Sequence, residues 1–224
     1  MNRLLKLSAL SLIPAFLIGC GGDDEVATYT VTITNTTHNQ PMSPPAVVIY
    51  EGDTRAWNIG YAASHGLEVL AESGSPADFV SEAESASATA TGDGIVGPGA
   101  STSIQLESTK TTSLTLTLAT MLVNTNDAFT GVTGWNIGQL EVGESIKTLT
   151  PIYDAGTEFN DELAIYVPGP AGGGEGYSEG RETADQVTRH PGVVTQADGY
   201  AESALNESHK FDNGAILIVV ERTE

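Results

Sequence analysis

The 224-residue chain has one cysteine, Cys20, so it cannot form an intrachain disulfide or a thiolate cage around a metal. Basic residues are scarce: nine Lys and Arg stand against 29 Asp and Glu, a formal charge of −20. That balance excludes a phosphate-tracking groove and with it nucleic acid as a partner. It also repels anionic headgroups and draws divalent cations, although a salt-adapted surface would carry the same charge. The four histidines, His38, His65, His190 and His209, contain no pair at zinc-ligand spacing. P-loop and dinucleotide fingerprints are missing. No apolar run is long enough to span a bilayer as a helix; Leu7 to Ile18 falls short.

What that short run does match is a processing signal. Arg3 and Lys6 precede it, and Leu17-Ile18-Gly19-Cys20 closes it as a lipobox. The expectation is a lipoprotein signal peptide over 1–19 and an acylated Cys20. A tether over 20–27 then leads to one domain over 28–224. Acyl chains contribute roughly 0.8 kcal/mol per buried CH₂, so the protein would be anchored to the membrane through its N-terminal lipid without crossing it. Gly21 stands where an inner-membrane retention Asp would be, which points to the outer membrane of a bacterial envelope, on its periplasmic or surface face. Without Arg3 and Lys6, the mature chain is more acidic still.

The remainder reads as an antiparallel β-sandwich. Tyr29 to Thr34 alternates apolar and polar residues, as a half-buried strand does. Ala46 to Tyr50 is a short interior strand. Gly66 to Ser73 and the segment opening at Pro76 read as short helices. Ser81 to Gly99, rich in Ala, Ser, Thr and Gly, reads as an irregular excursion ending in the Gly97-Pro98-Gly99 turn. Strand signals return at Ser103–Leu106, Leu114–Val123, Gly131–Ile137, Ser145–Tyr153 and Leu163–Val167. Pro168 to Gly180 is too rich in Gly and Pro for regular structure. Ala215 to Val220, continuous and β-branched, is the expected central strand buried on both faces. Short strands, turns between them and few helices make the fold class all-β.

Two acidic turns carry the candidate chemistry. Tyr153-Asp154-Ala155-Gly156-Thr157-Glu158 places two carboxylates around a glycine turn, and Asn124 to Gly131 brings Asp127. A hard cation such as Ca²⁺ takes six to eight oxygen ligands from carboxylates, carbonyls and water. Asp127, Asp154 and Glu158 could supply three, with Asn124, Asn126 and loop carbonyls completing the shell and Asp161 and Glu162 in reserve. The same Asp-x-x-x-Glu spacing also suits a helix N-terminus, with Asp as cap.

Met121 to Gly131, Tyr153 to Glu158 and His190-Pro191-Gly192-Val193 together resemble the spondin domain in a bacterial form. Pro45 to Val48 and Gly66 to Glu72 fit the same pattern, and the likeness runs from Tyr29 to Val220. The resemblance implies a C2-like β-sandwich of extracellular type with a bound divalent cation, and an adhesion or interaction role. Its metal carboxylates map onto Asp127, Asp154 and Glu158, with Glu158 one methylene longer than the family's Asp. The cysteines of the animal members are absent.

Other features compete for function. His190 reads as a turn residue or as part of a binding surface. Trp135, with Trp57, Tyr177 and Tyr200, reads as core or as a sugar- or partner-binding face. Gly176-Tyr177-Ser178-Glu179-Gly180 matches G-x-S-x-G, but no strand precedes it as a nucleophile elbow requires. The expectation is a non-catalytic, Ca²⁺-binding module with an unidentified protein or glycan partner. The alternatives are an envelope hydrolase, metal-assisted or serine-based, and a purely structural lipoprotein.

Overall fold

The first strand, β1 (Ala27–Asn35), follows the period-two pattern: Tyr29, Val31 and Ile33 are buried while Thr30, Thr32 and Thr34 are half-exposed. The structure is a computed structural model describing residues 26–110, 112–180, 185–212 and 214–224. The expected signal peptide, the acylation residue Cys20 and most of the tether lie outside the described residues.

Nine further strands follow: β2 (Ala46–Glu51), β3 (Ala86–Thr91), β4 (Ser101–Ser108), β5 (Leu114–Met121), β6 (Ala128–Asn136), β7 (Ser145–Leu149), β8 (Ile152–Asp154), β9 (Thr188–Arg189) and β10 (Ile216–Arg222). They form two antiparallel sheets, one ordered β4-β1-β10-β7 and the other β3-β2-β5-β6-β8-β9. The fold is therefore all-β. Tyr29, Val31 and Ile33 of β1 share the main core with Ile216, Ile218 and Val220 of β10. From the second sheet, Val47 and Ile49 of β2 and Leu114, Leu116 and Leu118 of β5 join the same cluster.

A second core lies on the outer side of the six-stranded sheet. Two short helices, α1 (His65–Ser73) and α2 (Ala77–Ser81), fall between β2 and β3 as expected. Leu67, Leu70 and Ala71 of α1 and Phe79 of α2 cover Ala46, Val48, Ala119 and Phe129. Ser64 caps α1 through the Leu67 N–H at 3.3 Å, and Gly74 ends it in the left-handed conformation at φ 73°.

Four expectations need correction. β5, not β10, is the strand covered on both sides: all eight of its residues are buried, whereas β10 alternates. Ser145 to Tyr153 is not one strand. β7 belongs to the four-stranded sheet and β8 to the six-stranded one, and the chain changes sheets at Thr150-Pro151, where proline has no N–H to continue a ladder. Within the supposedly irregular excursion, Ala86–Thr91 pairs with β2 as an edge strand. Leu163 makes only an isolated bridge to Ser203, and its carbonyl accepts from the Tyr166 N–H in a turn, so 163–167 is not a strand.

Candidate functional site

The two acidic turns meet at one end of the six-stranded sheet because β6 and β8 pair there, with Ala128 opposite Asp154 and Phe129 opposite Tyr153. The rings of Phe129 and Tyr153 stack at 5.2 Å, and Trp57, 4 % exposed, sits edge-on to both. This aromatic block fixes the bases of both turns.

The first turn is polar and buried throughout. Thr125 locks it, donating to the Leu122 carbonyl at 2.6 Å and accepting from the Ala128 N–H at 3.1 Å. Asn124 donates to the Asn39 carbonyl and accepts from the Ala171 N–H at 2.9 Å. Asn126 donates to Asp161 and accepts from the Glu162 N–H at 3.2 Å. The two asparagines, expected as cation ligands, thus staple three neighbouring segments to the turn.

Asp127 is 0 % exposed. Its Oδ2 accepts the backbone N–H groups of Thr157 at 2.9 Å and Glu158 at 3.1 Å, while its Oδ1 is buried without a hydrogen-bond partner. The second turn wraps around this carboxylate, and the Ala155 N–H also reaches the Asp127 carbonyl at 3.2 Å. Gly156 makes the wrap possible. Its φ is 76°, and a Cβ there would run into the Gln186 backbone. Asp154 accepts from the Gly156 N–H at 2.7 Å and from Asn160 at 2.6 Å, an Asx-type turn rather than a helix cap. No helix begins here.

Burial pushes the Asp127 carboxyl up to about 7, and the nearby Asp154 and Glu72 charges push the same way against the two backbone donors. A hard cation would relieve that penalty, and the donors of both turns are all oxygen. Glu158, 2 % exposed, approaches Asp127 through its backbone N–H. Among the described residues, no three His, Cys, Asp or Glu side chains are gathered so as to hold a metal ion. Asp127, Asp154 and Glu158 therefore share a region without forming a closed cage, and ligation by all three would take side-chain movement within the turns.

Glu72 is the functional candidate that the sequence hid. It is 1 % exposed on α1, and its Oε2 accepts the Ser178 N–H at 2.9 Å. Nothing in the α1 sequence marks it, since the helix reaches Asp127 only through tertiary packing. Glu162, a reserve ligand, is also buried. It is raised to about 7 chiefly by burial, although the Val194 N–H donates to it at 3.0 Å.

His190 and Trp135 are not brought together. Trp135 is half-buried opposite Leu116, seven residues along β6 from Ala128, or about 23 Å at strand rise. His190 follows β9, its N–H bonded to the Ile152 carbonyl at 3.1 Å. Its Nδ1 accepts from the Gly192 N–H at 3.0 Å, its ring packs edge-on to Phe211, and its Nε2 is buried without a partner. Burial pulls its pKa down to about 4 against the opposing pull of Asp154, so the ring is neutral at pH 7.

The G-x-S-x-G segment builds no triad among the described residues. His209 Nδ1 accepts from the Asn206 N–H, and its Nε2 lies 3.1 Å from Asn39. Asp198 holds Thr195 and Lys210. Neither residue turns to Ser178. The chain matches no protein-family model and no curated protein sequence.

Proposed function

We propose that this chain is a spondin-type, Ca²⁺-binding interaction module of the cell envelope, lipid-anchored through Cys20 and non-catalytic. One observation carries the metal reading: the Asp127 carboxylate is wholly buried, held on one oxygen by two backbone N–H groups and unpartnered on the other. A buried charge with half its hydrogen-bonding capacity unused is costly unless a counter-charge completes it. Asp127, Asp154 and Glu158 are the residues that would hold the ion. Bound there, a cation would supply positive charge that neutralises the cluster and ties two loops together. The all-β sandwich and the meeting of the two turns support the spondin-type assignment. The adhesive role rests on the sequence resemblance, and the partner is a protein or glycan.

Melting the full-length protein with Ca²⁺ and with EDTA tests this. A ligand at a hundred times its Kd stabilises by about 2.7 kcal/mol. For a domain of this size, that raises Tm by roughly 5–10 °C. Asp127→Asn should abolish the difference. Identical melts in both buffers, with Asp154→Ala behaving as wild type, would leave a structural lipoprotein without a bound ion as the better reading.

A further inference from the structure

Strand β7 is the last in its sheet and pairs with β10 alone. At one end of that pair the Thr150 N–H donates to the Ile216 carbonyl at 3.0 Å, and at the other the Arg222 N–H donates to the Glu144 carbonyl at 3.1 Å. Antiparallel alternation therefore turns the backbone groups of Ile146 and Thr148 toward β10 and those of Ser145, Lys147 and Leu149 away from it. Among the described residues, no backbone group meets these three from the open side. All three are exposed, and they span about 14 Å of edge. Space is free alongside, where a groove of about 480 Å³ borders Leu149, Thr150 and Pro151.

The solvent face along this edge is aliphatic. The register sets Leu217 beside Leu149 and Val219 beside Lys147. Leu149 is 53 % exposed, and Leu217 and Val219 are half-exposed. Lys147 forms no ion pair among the described residues. Sheets commonly blunt a free edge with a bulge, a proline or a cluster of charges. β7 is short, but it has neither bulge nor proline, and Lys147 is its one charge.

We propose that the free edge of β7 takes up an extended segment of a partner protein as an added strand, with an acidic residue opposite Lys147 and an aliphatic one opposite Leu149. A polypeptide backbone repeats donors and acceptors at the spacing of Ser145, Lys147 and Leu149, which a glycan does not. Opposite charges and apolar pairs across the strands then set the preferred sequence. A second copy of the chain is disfavoured. Two β7 strands paired antiparallel about Lys147 set lysine against lysine, and each copy carries a formal charge of −20. The proposal names a partner class for the interaction-module reading, on which it rests, and needs neither the cation nor the lipid anchor.

The probe is the peptide Ser-Val-Thr-Glu-Val-Thr-Ser, capped at both ends and titrated into the purified full-length protein in EDTA. In the antiparallel register its Glu meets Lys147 and its first Val meets Leu149. Saturable binding is expected, with the backbone N–H resonances of Lys147 and Leu149 shifting and becoming protected from hydrogen exchange. N-methylation of the first Val, the Glu and the second Thr, whose N–H groups face β7, should weaken binding about tenfold or more, whereas N-methylation of the first Thr and second Val should not. Lys in place of the peptide's Glu should weaken it about threefold or more. Lys147→Pro removes an outward N–H without touching the β10 ladder and should abolish binding. Should that variant not fold, the two N-methylated peptides decide alone. Equal binding of those two peptides, resonance shifts away from β7, or a dimer in sedimentation that Lys147→Pro dissolves would each overturn the proposal. Absence of peptide binding in a protein that Ca²⁺ still stabilises would remove the edge and keep the metal reading; binding in a protein indifferent to Ca²⁺ would do the reverse.

Discussion

The two sheets share one core but meet different worlds on their far sides. The six-stranded sheet is roofed by α1, α2 and Trp57, and a buried carboxylate lies at one end of it. The four-stranded sheet shows solvent a ladder of hydroxyls, with Thr32 paired to Ser103 at 2.9 Å and Thr34 to Ser101 at 2.7 Å. Polar groups occur on both sides, but only cover makes them expensive. Exposed hydroxyls exchange one hydrogen bond for another with water, whereas Asp127 has no water to fall back on.

Removing the roof tests this most severely. Phe79→Ala should cost about 3–5 kcal/mol, read by denaturant unfolding, because it opens a cavity over β2 and β5. Gly156→Ala comes next, at about 2–4 kcal/mol, since it strains a left-handed residue and drives a Cβ into the Gln186 backbone. The pH response is smaller. Glu162 keeps its proton to about 7 in the folded state but releases it near 4.5 when unfolded, so its stabilising contribution is lost as pH rises through that window. Asp127 acts in the same direction. His190 acts oppositely, because its depressed pKa costs stability as pH falls from 6.5 toward 4. With two carboxyls against one imidazole, melts in EDTA should give a lower Tm at pH 7.5 than at pH 5, and Glu162→Gln should narrow that gap. On the open side, Thr32→Ala should change stability by less than about 0.5 kcal/mol; a larger loss there would undo the contrast between the two faces.

That contrast also explains what the sequence could reveal. Alternation in Tyr29 to Thr34 exposed β1 plainly, because one face meets water. Leu114 to Leu118 alternates just as cleanly, yet β5 is buried on both sides. Its threonines are satisfied internally, Thr115 by the Gly52 carbonyl at 2.9 Å and Thr117 by Thr133 at 3.3 Å. The apolar run Ala215–Val220 suggested double cover that no described residue supplies. Hydropathy reports what a strand tolerates, and the roof comes from a helical segment elsewhere in the chain. β3, Ala-Ser-Ala-Thr-Ala-Thr, had no signal at all because small residues at an edge bury little. In the site, Asp127, Asp154 and Gly156 were legible from local turn chemistry. Glu72 and the unpartnered His190 nitrogen were not, since both depend on what packs against them.

The course of β1 has a consequence for how the molecule would stand on a surface. Its last residue, Asn35, lies at the end where Asn124 binds the Asn39 carbonyl, and its first, Ala27, lies at the opposite end. Thr28 is clamped there between the two last residues, its N–H on the Glu224 carbonyl at 3.0 Å and its carbonyl on the Thr223 N–H at 2.8 Å. Eight strand steps separate the two ends, about 27 Å. Under the proposed lipid anchor, the acidic turns would point away from the bilayer like the head of a mast. A label inserted after Glu224 would hang at its foot, clear of whatever the head meets.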